Sequence, residues 1–295
     1  MRIIAKVTQI IKKVFTRQTI VNVNVAAIAL NQILQDRCAL ITGGSSGIGY
    51  AIARAFLNAG CNVCITGRNE DKLHRAFLKL KAIYPDRVIL ETLLDNTNVD
   101  SFEPAFNNLL LMLGDKGIGQ IDILVNNAGV NFKGMPNATE QEYDAVMDTN
   151  LKGAFFLSQL FGRYIVENQI HGNILNIASS SSLRPADSAY TLSKWGIRAL
   201  TLGLAKSLAK YGITVNGLAP GPTATHMMMK NGSGNMYLGR IPFGRYIMPE
   251  EIANMSVILV SDIGRSIMGD VVYMTGGAGI LTYDDVPYNF DSLNI

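Results

Sequence analysis

The chain has 295 residues, 48% of them hydrophobic and 17% charged. That is enough apolar material for one large core and too much for a disordered chain. No stretch reaches the roughly 18 apolar residues of a membrane span, and a net charge of +3 makes no case for nucleic acid.

The charge is concentrated at the start. Residues 1–37 carry six Lys/Arg against one acid. Ile3, Ile4, Val7, Ile10, Ile11, Val14 and Phe15 recur at helical spacing, with Arg2, Lys6, Lys12, Lys13 and Arg17 opposite them. The spacing predicts a basic amphipathic extension over 1–37. Its residues 3–17 fit a peripheral contact with an anionic membrane surface, or packing on protein. A transit peptide is a third reading, although serine is absent and arginine does not dominate.

From residue 38, short apolar runs alternate with helical patterns. The runs fall at 38–42, 62–66, 87–90, 121–125, 173–177, 213–216 and 271–274, and the helical patterns near 47–59, 70–83, 100–113, 138–168, 188–210 and 249–261. This alternation predicts an α/β fold with a doubly wound parallel sheet of seven strands in one domain, 38–280. Residues 281–295 form an acidic, aromatic tail. The weakly periodic stretch 222–247 reads as a loop or lid. Cys61 and Cys64 are spaced CxxC, but on a strand they point to opposite faces. With three cysteines and three histidines in the chain, a metal site is not expected. Free thiols suit a reducing, cytoplasmic compartment.

After the first strand, Thr42-Gly43-Gly44-Ser45-Ser46-Gly47-Ile48-Gly49 opens a helix. Glycines let the backbone approach a phosphate, and the helix N-terminus supplies N–H donors. This turn predicts dinucleotide binding. Near the end of the second strand NAD enzymes commonly place an acid, but this chain reads Thr66-Gly67-Arg68-Asn69. A guanidinium suits the 2′-phosphate of NADP, with Ser45 as a further donor. NADP is therefore the expected cofactor and NAD the alternative. Tyr190 and Lys194 stand four apart on a helix and share a face. A neighbouring ammonium favours the phenolate, so the pair is expected to lower the Tyr190 pKa towards working pH.

Residues 38–280 resemble the short-chain dehydrogenase/reductase family, with a leaning to its 3-oxoacyl-carrier-protein reductase and sugar dehydrogenase branches. Thr42–Gly49 matches the family's TGxxxGIG turn, Asn126-Asn127-Ala128-Gly129 its NNAG motif, and Asn150 its catalytic Asn. Ser179, Tyr190 with Lys194, Pro220-Gly221 through Thr225, and Gly276-Gly277 match the remaining motifs in order. Ser179 and Tyr190 are slightly closer than is usual in the family, which makes Ser180 a conceivable substitute.

The resemblance implies a Rossmann sheet with strand order 3-2-1-4-5-6-7 and an oxidoreductase interconverting a carbonyl and a secondary alcohol. Tyr190 would be the general acid/base, Ser179 would orient the carbonyl oxygen, and Lys194 would tune Tyr190 and bind ribose. Asn150 would hold a relay water. Gly43, Ser45, Ser46, Gly47, Ile48, Gly49, Arg68, Asp95, Asn127, Ala128, Gly129, Pro220, Gly221, Thr223 and Thr225 would hold the cofactor, with Asp95 at the adenine. Substrate candidates are Asn131, Phe132, Leu183, Arg184 and His226 with Met227, Met228 and Met229. For Arg184 a solvated surface position is the competing reading. The resemblance also implies a homodimer or homotetramer built on helices near 150–168 and 188–210. A cofactor-binding scaffold without turnover is the rival function, which the presence of all four catalytic residues argues against.

Overall fold

A computed structural model describes residues 32–225 and 235–280. The amphipathic extension up to residue 31, the residues His226 to Met229, and the tail lie outside the described residues.

Seven parallel strands form one sheet: β1 (Cys38–Ile41), β2 (Asn62–Gly67), β3 (Ile89–Leu93), β4 (Ile123–Asn126), β5 (Asn173–Ile177), β6 (Thr214–Pro220) and β7 (Val271–Met274). Their order is β3-β2-β1-β4-β5-β6-β7, as expected. Seven α-helices connect them: α1 (Gly47–Asn58), α2 (Glu70–Ile83), α3 (Phe102–Gly114), α4 (Glu140–Met147), α5 (Gly153–Glu167), α6 (Ala189–Leu208) and α7 (Pro249–Val260). The strands read as apolar runs because helices cover both faces. In β1, Ala39 and Ile41 join the core under α1, α2 and α7, while Cys38 and Leu40 join the core under α3, α5 and α6. Phe56 anchors the first core and Phe161 the second, each fully buried. Each such side chain contributes about 1.5–3 kcal/mol.

Strands β3 and β4 begin two residues later than the apolar runs at 87–90 and 121–125, and two larger differences have a physical reason. The segment expected as one helix over 138–168 is interrupted by a π turn at Asp148–Lys152; such a turn is a short insertion flanked by regular helix on both sides, with no proline or glycine break inside it to announce it. Strand β6 continues past Asn216 to Pro220, where Gly217 and Pro220 mask the strand signal. Residues 32–37 pack on the domain: Leu34 is fully buried and its N–H bonds Ala59 O at 2.9 Å. Arg37 pairs with the buried Asp122 and donates to Asn173 Oδ1 at 2.6 Å. It therefore ties β1, β4 and β5 together at their N-terminal ends. Cys61 and Cys64 fall into opposite cores. No cluster that could hold a metal ion occurs among the described residues, and none of their helices is long and apolar enough to cross a membrane.

Candidate active site

The strand order reverses between β1 and β4, and an open parallel sheet forms a crevice at such a point, beyond its C-terminal strand ends. The turn after β1 is built to leave that crevice open. Gly43 has φ of 64°, and a Cβ on it would lie 3.0 Å from the Ala128 Cα. A Cβ on Gly49 would lie 2.4 Å from the Asn127 side chain and from Gly43 O. Only glycine lets the first turn of α1 pack this closely on the end of β4. The Asn127 amide donates to Thr42 O at 2.9 Å and Gly43 O at 3.2 Å. In return the Thr42 hydroxyl accepts from the N–H groups of Asn127 and Ala128, both at 3.0 Å. The Asn-Asn-Ala-Gly segment thus braces the glycine-rich turn.

A cavity of about 740 Å³ runs across this crevice. At one end it is lined by Ser45, Ser46, Arg68 and Asp95, and by Lys72 and Asn69, which the sequence reading did not single out. Asn69 caps α2 by accepting the Lys72 N–H at 2.9 Å, so the same turn that starts α2 presents both cations. A four-residue Arg68–Lys72 spacing at a helix start was the available signal. Ser46 caps α1 without spending its hydroxyl on the helix. Along the middle lie Gly43, Gly47, Ile48, Asn127, Ala128 and Gly129, facing Pro220, Gly221, Thr223 and Thr225. Gly49 and Asn150 do not line the cavity but support its wall. The Asp95 carboxylate accepts from the N–H and hydroxyl of Thr97, both at 2.9 Å, an ordinary turn arrangement.

At the other end Ser179, Ser180, Tyr190 and Lys194 converge. Ser179 follows β5, and Tyr190 and Lys194 occupy the first turns of α6, whose Ser188 cap accepts the Thr191 N–H at 3.3 Å. Lys194 is 5% exposed, and its Nζ donates to Ile177 O at 2.8 Å and stands 5.7 Å from the Tyr190 ring centre. Burial lowers its pKa to about 8. The Tyr190 phenol departs from expectation. Burial raises its pKa, and a hydrogen bond with Ser179 pulls only partly the other way. Lys194 does not reverse the shift, because it is itself desolvated and directs a proton to Ile177. Ser179, not Ser180, is the serine that acts on the Tyr190 phenol.

Asn150 sits in the π turn, 1% exposed. Its amide oxygen accepts the Val130 N–H at 2.8 Å, and its amide nitrogen donates to Val130 O at 3.0 Å and Ser193 Oγ at 3.1 Å. Both amide hydrogens are engaged, while the amide oxygen retains a second acceptor position. Of the substrate candidates, Asn131, Phe132 and Arg184 line the cavity and Leu183 does not; Met135, Asp187 and Arg240 line it unforeseen.

Comparison with known proteins agrees with this geometry. The family model for short chain dehydrogenase matches residues 37–235. A 3alpha-hydroxysteroid dehydrogenase of Mediterraneibacter gnavus is 32% identical over 83% of this chain and 98% of its own. A 3-oxoacyl-acyl-carrier-protein reductase of Rickettsia bellii is 36% identical over 83% of this chain and 97% of its own. Among solved structures, a short chain dehydrogenase from Burkholderia cenocepacia in complex with NADP superposes with a TM-score of 0.74 at 29% identity, covering 84% of this chain and 99% of that one.

Proposed function

The chain belongs to the short-chain dehydrogenase/reductase family and is an NAD(P)-dependent oxidoreductase, and within it we propose an NADP-dependent enzyme that interconverts a carbonyl and a secondary alcohol, with Tyr190 as general acid/base. The observation that carries this reading is the arrangement of one cavity: Arg68 and Lys72 at one end, Ser179, Tyr190 and Lys194 at the other, glycine backbone between. The donor set fits a dinucleotide phosphate. Gly43 and Gly47 leave the turn open, Ser45 and Ser46 offer hydroxyls, and no acid stands at the end of β2 to repel a 2′-phosphate. The 2′-phosphate partners would be Arg68, Lys72 and Ser45. The carboxamide end would meet Thr223 and Thr225.

When bound, the reduced nicotinamide supplies a hydride to the carbonyl carbon. Tyr190, held protonated by burial, donates its proton to the carbonyl oxygen and takes it back in the reverse direction. The Ser179 hydroxyl bonds the same oxygen and fixes its direction. Lys194 places positive charge beside the phenol and steadies the phenolate as it forms. Asn150 holds the Val130 segment through its side chain and would take part in a proton relay from Lys194 to solvent.

We infer also that the working unit contains more than one copy. Phe155, Phe156, Leu192, Trp195 and Leu202 of α5 and α6 are exposed, large apolar side chains of the kind enriched at interfaces.

The test is reduction of a carbonyl panel by NADPH, comparing the wild type with Tyr190→Phe. The variant is expected to bind NADPH normally and to lose turnover by about a hundredfold or more; turnover at the wild-type rate overturns the role of Tyr190.

A further inference from the structure

We propose that Arg184 and Arg240 form a clamp for an oxyanion, and that the substrate is a carbonyl compound or secondary alcohol carrying a carboxylate or phosphate on the same molecule. The proposal rests on the oxidoreductase reading and names the substrate class of that site.

Five cations line the cavity against two carboxylates. Arg68 and Lys72 lie at the end assigned to the 2′-phosphate, and Lys194 is spent on Ile177 O. Arg184 and Arg240 remain. Arg184 lies between Ser179 and Tyr190 in sequence, and its main-chain oxygen is fastened by the Trp195 indole N–H at 2.8 Å. The backbone is therefore fixed while the guanidinium extends. That guanidinium lies over the turn after β7, where a Cβ on Gly279 would come within 2.8 Å of its Nε. Arg240 lines the same cavity, on a segment that packs against this turn. Two residues on, Pro242 packs against Gly277, and the Phe243 N–H bonds Gly276 O at 2.9 Å.

No described side chain forms a hydrogen bond or ion pair with either guanidinium. The contrast is Arg245, five residues after Arg240, which forks onto Glu251 at 2.9 and 2.8 Å. Asp95 is the first lining carboxylate and is engaged by Thr97. Asp187 is the second and pairs with neither arginine. Two arginines lining one cavity, neither paired with an acid among the described residues, suit a forked contact to a ligand oxyanion. Phe132 and Met135 offer apolar surface for the uncharged part of the molecule.

The experiment titrates the enzyme–NADPH complex with two matched pairs: 3-oxobutanoate against its ethyl ester, and dihydroxyacetone phosphate against dihydroxyacetone. Binding is read by calorimetry and turnover by NADPH oxidation. At least one anion is expected to be favoured over its neutral partner by about tenfold to a hundredfold. The identity of that anion separates carboxylate from phosphate. In Arg184→Gln and Arg240→Gln that preference should fall while NADPH affinity and the neutral probes are unchanged. Neutral probes bound as well as the anions, failure of every anion to bind an enzyme that binds NADPH, or weakened NADPH binding in the arginine variants each overturn the clamp and leave the oxidoreductase reading standing. Failure of the wild type to bind NADPH overturns the reading beneath it.

Discussion

The Asn150 side chain grips the main chain of Val130 from both sides, accepting its N–H at 2.8 Å and donating to its C=O at 3.0 Å. A residue read as part of the chemistry therefore also fixes the loop after β4 that forms one wall of the cavity. Asn150→Ala removes both bonds and the one to Ser193, leaving polar groups without partners. A loss of about 1–3 kcal/mol is expected, seen as a lower denaturation midpoint, together with reduced turnover. An Asn150→Ala protein of wild-type stability would show that this brace is dispensable.

Lys194 gives the protein a signature in its pH dependence. Burial lowers its pKa from 10.5 to about 8, so between those values the unfolded chain binds more protons than the folded one. Stability therefore rises with pH across that window, and the penalty is complete below about 8. The full effect is on the order of 3 kcal/mol. Tyr190, raised by burial, opposes it only above its ordinary value of 10. Denaturant titrations of Lys194→Met should show a flatter dependence from pH 8 to 10 than the wild type. An equally steep rise in both would mean that Lys194 is not desolvated.

At the opposite end of the central strands, Arg37 compensates the buried Asp122. Removing one partner of such a pair leaves a charge with no counterion, which costs about 3–5 kcal/mol. Arg37→Met is expected to lose stability on that scale with little effect on NADPH affinity, since the pair sits at the N-terminal strand ends. A neutral substitution would contradict the role given to Arg37.

The apolar face of α5 and α6 predicts assembly. Phe155, 47% exposed, lines a groove with Leu151, Phe156, Gly196 and Leu200. The wild type should elute as a dimer or larger on size exclusion with light scattering, and Phe155→Asp should shift it towards the monomer. A monomeric wild type would remove the interface.

Much of this architecture is legible in the sequence because its determinants are local. Strands buried on both faces read as continuous apolar runs, and the Thr42–Gly49 turn carries its own backbone requirement. The sign of the Tyr190 shift was not legible. It depends on how deeply two residues are buried and on Lys194 finding Ile177 O across the sheet end, neither of which a four-residue spacing encodes. The π turn escaped because Asp148–Lys152 carries no proline or glycine to mark a break. Arg240 escaped because its segment is brought to the cavity by tertiary packing, with Pro242 and Phe243 against the Gly276–Gly277 turn, a meeting of segments distant in sequence. Arg184 was singled out, but only the fold shows that it lines the cavity without an acidic partner among the described residues.

The most direct test of the central claim is a fluorescence titration of the purified protein with NADPH and, separately, NADH, repeated with Arg68→Ala. The account predicts that NADPH binds about tenfold to a hundredfold more tightly than NADH, and that Arg68→Ala removes most of that difference while leaving NADH binding unchanged. Equal or tighter binding of NADH by the wild type, or equal losses for both cofactors in the variant, would contradict it.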